Sequence, residues 1–175
     1  MYGDLHVISA KGAEAALDLR GGHVRRFAVA GDGRTIEPTH TAPWVEDGAI
    51  QEDESILPNL RYLSGDFFCA PFADQGPDGA PSHGWPGNAR WNVIETVPHP
   101  DGGTIARYEL TKPVFGARVV KEFVLRDGHP FLYQRHIFYG GEGATSVASH
   151  GMTRFPAGGR LAFSPKRFGS TPAKA

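Results

Sequence analysis

Cysteine is almost missing from this sequence: Cys69 is the one thiol among 175 residues. An intrachain disulfide is therefore excluded, and so is a zinc module built on paired cysteines. Long apolar runs are missing too. No stretch approaches the roughly 18 consecutive apolar residues that a membrane helix needs, so no membrane partner is expected. A charge of one sign is missing: Lys and Arg total 18, Asp and Glu 19, for a formal net charge of −1. With no basic field over the chain, nucleic acid is not an expected partner. The opening MYGDLHVISAKG has no basic segment leading into an apolar one. No secretory signal is read there, and a cytoplasmic location is expected.

Several catalytic signatures are also missing. There is no HExxH and no C-x-x-C, and no cupin-like run of closely spaced histidines. No GxSxG, Walker A or GxGxxG occurs, and Gly140-Gly141-Glu142-Gly143 reads as a turn. No carboxylate pair stands out as glycosidase machinery. No internal repeat is visible. A convincing amphipathic helix is missing as well, the nearest candidate being residues 11–20, short and bounded by glycine.

What the sequence does contain is turns. Glycine (23) and proline (14) are abundant, while 40% of the residues are apolar. That balance fits a soluble chain of short strands with enough apolar side chains for a core. Strands are expected at 5–9, 15–19, 24–36 (a hairpin about Gly31-Asp32-Gly33), within 60–72, and at 91–97, 104–110, 117–126, 131–139 and 145–155. In 117–126, Val119, Lys121, Phe123 and Leu125 share one face. Residues 47–53 and 74–87 read as loops, the second long and rich in Gly and Pro, as functional loops often are. The tail 164–175 is polar and expected to fray. Regular strand-turn spacing argues for one all-β domain spanning 1–175, a sandwich or a barrel.

Histidine is the natural place to look for chemistry, because imidazole exchanges protons near neutral pH. Of the eight, His99 and His129 lie at turns beside proline and are expected at the surface. His6 and His23 lie in strands and are expected at the surface or an interface. His83 is different, following a glycine-rich loop in Pro81-Ser82-His83-Gly84-Trp85, shortly before Asn88 and Trp91. Aromatic faces stack on the C–H face of a pyranose while imidazole and amide groups bond its hydroxyls. A loop anchored by buried tryptophans is the equally weighted plain reading. His150, in Ser149-His150-Gly151-Met152, lies in a strand, where packing roles outnumber catalytic ones. Arg61, in Asn59-Leu60-Arg61-Tyr62, offers a fork of donors to a hydroxyl, or is simply an exposed arginine.

The string Gly65-Asp66-Phe67-Phe68-Cys69-Ala70-Pro71-Phe72, then Ser82-His83-Gly84, then Asn88 and Trp91, resembles the aldose 1-epimerase (galactose mutarotase-like) family. The early GGHVRRFAV and GRTIEP, the later SHGMTRFP and the closing LAFSPKRFGSTP extend the resemblance over almost the whole chain. It implies a β-supersandwich of mostly antiparallel strands that binds a small-molecule aldose. It implies an isomerase that interconverts α and β anomers by acid/base ring opening, with no cofactor and no metal. Carried over, His150 is the general acid and His83 a second catalytic group, a donor that orients substrate or stabilises an oxyanion. Arg61, Trp85 and Asn88 are the substrate-binding candidates. The family's general-base glutamate and a further aspartate fall beyond the last residue here. The chain is therefore expected to match the N-terminal half to two-thirds of the family, its open sandwich covered by a homodimer partner or by a missing C-terminal half. The alternatives are a non-catalytic carbohydrate-binding sandwich and an inactive truncated remnant.

Overall fold

The computed structural model describes residues 4–76, 79–160 and 162–168. The first sheet is antiparallel and runs in chain order: β1 (Leu5–Ala10), β2 (Ala13–Asp18), β3 (His23–Gly31) and β4 (Arg34–Ile36). After a two-residue strand β5 (Phe68–Cys69), a second antiparallel sheet holds β6 (Trp91–Pro98), β7 (Gly103–Leu110), β8 (Arg118–Arg126) and β9 (Tyr133–Tyr139). The last strand, β10 (Ala148–Ser149), returns to pair antiparallel with β5. The chain is all-β, as expected. No described helix is long and apolar enough to cross a membrane.

Local chemistry explains the hairpins. Asp32 and Gly33 join β3 to β4 with φ of 52° and 73°. A two-residue hairpin turn needs positive φ at both central positions, and Asp-Gly supplies it. In β8 the expected alternation is realised, with Val119, Lys121, Phe123 and Leu125 fully buried on one face. That face meets Trp91 of β6, Tyr108 of β7 and, from the first sheet, Ile8, Ala15, Leu17 and Val24. Each large apolar side chain removed from water there stabilises the fold by about 1.5–3 kcal/mol. Polar bonds pin the two sheets together. The Trp91 N–H donates to the Leu19 carbonyl at 2.7 Å and the Thr104 hydroxyl to that of Ser9 at 2.6 Å.

Some elements differ from the sequence reading. The strand expected at 15–19 begins two residues earlier, as β2 held between β1 and β3, and the short helical candidate 11–20 does not form. Its alanines favour helix in isolation, but pairing on both sides overrides that preference. Residues 47–53, expected as loop, contain a one-turn helix α1 (Gly48–Glu52), whose start is capped by the Asp47 carboxylate accepting from the Ala49 N–H at 2.9 Å. A second short helix is α2 (Pro58–Arg61). The strands expected within 60–72 and at 145–155 form only the two-residue β5–β10 ladder. Isolated bonds extend it in register from His150 to Phe67 and from Met152 to Gly65, and one residue out of register from the Phe72 N–H to Ser146. Proline at 71 has no N–H to continue the ladder. Of the tail expected to fray, residues 164–168 carry no helix or strand, and 169–175 lie outside the described residues.

Candidate functional site

The site is built around Phe67. The chain reaches it through Gly65, which has φ 54° and passes so close to β3 that an added Cβ would lie 1.8 Å from the Val24 carbonyl oxygen. Only glycine fits there. The Val24 N–H then donates to the Asp66 carbonyl at 2.8 Å. Extended backbone alternates its side chains, so Phe67 points to one face of this segment and Asp66 and Phe68 to the other. Across the ladder, the His150 N–H donates to the Phe67 carbonyl at 2.8 Å. His150 and Phe67 thus share a face, and their rings stack with centroids 4.7 Å apart at 13°. His23 stacks on the opposite side of Phe67 at 4.4 Å and 19°. Expected at the surface or an interface, His23 is instead fully buried, because it is the inner layer of this three-ring stack.

His83 arrives from the glycine-rich loop. Its N–H donates to the Ala73 carbonyl at 2.8 Å, and its φ is 67°. A non-glycine residue in that region is uncommon and worth a reason. The reason lies in its neighbours. Gly84, at φ 79°, bridges to Ala70 so closely that a Cβ would lie 2.1 Å from the Ala70 carbonyl oxygen. The Asn88 amide donates to the carbonyls of Ser82 and Gly84, both at 2.8 Å, clamping His83 from either side. Asn88 Oδ1 in turn accepts from the Asn59 N–H at 3.2 Å. The result brings the His83 and His150 rings edge to face, centroids 5.3 Å apart at 63°. Phe72 stacks on His83 at 5.7 Å. Nδ1 of each imidazole is buried without a partner. Burial holds His83 below the usual imidazole pKa, the charge of His150 adds to the effect, and Asp74 opposes it.

The structure therefore brings together His83 and His150, with Asn88 holding the loop of the first. Arg61 and Trp85 are placed differently. Arg61 ends α2, where its guanidinium donates to the Gln51 carbonyl at 3.2 Å and lies 5.4 Å from the Tyr62 ring centroid. Trp85 packs against the core with Lys112 over its ring. Neither touches the histidine pair among the described contacts. His99 and His129, expected at the surface, are half-buried and bonded locally, His99 to the Asp101 N–H and His129 to the Tyr133 hydroxyl.

Sequence reading missed the opposite face of the same segment. There Gln134 donates to Asp66 Oδ2 at 2.9 Å, while Asp66 Oδ1 is buried without a partner. Phe68 stacks on His136 at 3.8 Å. Lys121 is fully buried, donates to the Gly22 carbonyl at 2.5 Å and lies 4.7 Å from the Trp91 ring centroid. Burial pushes its pKa down to about 7, opposed by Asp66. Burial and then Lys121 push His136 to about 2, and burial pushes the Cys69 thiol up to about 12. A thiol so hard to ionise is no nucleophile. The signal for Lys121 was present in the sequence, since the β8 alternation puts it among Val119, Phe123 and Leu125. Among the described residues, no three His, Cys, Asp or Glu side chains converge to hold a metal ion.

No family model matches this chain, and neither a curated protein nor a solved structure matches it. Fold and site define a class in physical terms: an all-β, antiparallel protein that presents two edge-to-face imidazoles on an aromatic plate.

Proposed function

We propose that the chain is an aldose 1-epimerase-like isomerase, or the part of one that carries its proton donor, built on a mutarotase-like supersandwich. The observation that carries this reading is the His83–His150 pair, 5.3 Å apart, from segments far separated in the chain. The resemblance named these two histidines for one site. In this reading His150 protonates the ring oxygen of the sugar as a base removes the C1 hydroxyl proton. The bond from C1 to the ring oxygen breaks, the carbonyl end rotates, and reclosure returns both protons. His83, held neutral by burial, orients the sugar by hydrogen bonding. Asn88 acts through His83 as a positioning residue. The resemblance assigns the base to a glutamate, and no acidic residue of this sequence lies in a matching motif.

A second reading, a sugar-binding module without turnover, is favoured by one observation. Asp66 faces away from the histidine pair and is tied to Gln134. Polarimetry of freshly dissolved glucose and galactose separates the two readings. The isomerase accelerates the drift in rotation, and His150→Gln removes the acceleration. Saturable calorimetric binding with no acceleration leaves the binding module. No binding and no acceleration sinks both.

A further inference from the structure

On the outer face of the first sheet lies a cavity of about 640 Å³, lined by neither His83 nor His150. Leu5, Val7 and Ala16 give it an apolar floor, and Arg25, Arg154 and His40 reach its wall. Its charges are unevenly committed. Glu14 and Glu37 are both held by Arg26. Arg154 makes no ion pair among the described residues, and its backbone N–H donates to the Pro38 carbonyl at 2.7 Å. Arg25 is the unusual member. Its side chain is only 13% exposed, and its Nη1 is buried with no acceptor. Its one carboxylate partner among the described residues, Glu46, has a side chain that is 82% exposed.

A buried guanidinium with a donor left over is unfavourable, and an exposed carboxylate is a weak, exchangeable partner for it. We infer that this cavity binds a small organic oxyanion, a carboxylate or phosphate on a compact body, which displaces Glu46 from Arg25. The anion takes the Arg25 guanidinium, Arg154 supplies the second cation, and the body of the ligand lies over Leu5, Val7 and Ala16. Glu46 is then a latch: it neutralises Arg25 in the empty state and swings into solvent on binding. This site is separate from the sugar site proposed above and stands or falls without it.

The test is calorimetric titration of the full chain with sodium gluconate, inorganic phosphate and, as a neutral control, glucose. The inference expects saturable binding of at least one anion. Glu46→Gln removes the competing carboxylate and tightens that binding by about two- to fivefold. Arg25→Met weakens it by about tenfold or more, the scale of a charge-assisted bond. Should Arg25→Met fail to fold, the exposed Arg154→Gln carries the same expectation of weaker binding. His150→Gln leaves the affinity unchanged. The inference is overturned if neither anion binds saturably in the millimolar range, if Glu46→Gln weakens binding, or if binding survives intact in the arginine variants.

Discussion

His150 lies flat against Phe67, ring centroids 4.7 Å apart and planes 13° from parallel. The catalytic candidate is thus oriented by an apolar plate, not by a hydrogen bond, since its Nδ1 has no partner. Phe67→Leu keeps most of the volume and removes the plate. The expected loss is about 1–2 kcal/mol of stability in urea unfolding. Histidine NMR should show His150 gaining ring mobility while the fold is retained. A His150 signal identical to that of the parent protein would mean that the stack does not orient it.

Asn88 is the corresponding support for His83. Asn88→Ala leaves the Ser82 and Gly84 carbonyls without their donor and the Asn59 N–H without its acceptor. Each buried group so orphaned costs about 1–3 kcal/mol, and partial relaxation brings the expected sum to about 2–4 kcal/mol. Denaturant unfolding measures it. A change within experimental scatter would show that the clamp is dispensable.

Acid stability follows from one buried imidazole, His23, and one half-buried imidazole, His136. Burial pushes His23 down to about 3, and His136 is pushed to about 2, from an ordinary 6.5. Both bind protons more readily in the unfolded chain, so their contribution is complete above about pH 6.5 and is lost as pH falls toward 3 and below. Melting temperature is expected to fall steadily across that window. His23→Phe, which keeps a flat ring on Phe67, should flatten the decline. An equal decline in parent and variant would remove His23 as a cause.

Lys121 gives a window on the alkaline side. Its pKa is about 7 in the fold against 10.5 when free, so the unfolded chain binds the extra proton between those values. Stability is expected to rise with pH from about 7 to 10.5 on this account. Lys121→Met keeps the stem, removes the titration and should abolish the rise. It also strands the Gly22 carbonyl, so the slope with pH, not the absolute stability, is the quantity to compare. A parental slope retained in Lys121→Met would contradict the burial of an ionisable amine there.

Much of the fold was legible because hairpins announce themselves locally. The Asp32-Gly33 and Asp127-Gly128 turns and the alternation through β8 contain the physics that forms them. The segments 60–72 and 145–155 were less legible. Their ladder joins residues far apart in sequence, and its length is set by Pro71 and by the close pass of Gly65 under Val24. The pairing of His83 with His150 came from the resemblance, since nothing local in either segment points at the other. His23, Asp66 and His136 were missed because their surroundings depend on which segment crosses which. A strand pattern states that a residue faces inward only after the partner sheet is known.

The most direct measurement is a titration of the chain with galactose, following the imidazole signals of all the histidines by NMR. If His83 and His150 form one sugar site, their two signals move together, with one dissociation constant, while those of His99 and His129 stay fixed. Movement of only one of the pair, or of neither, would contradict a shared site.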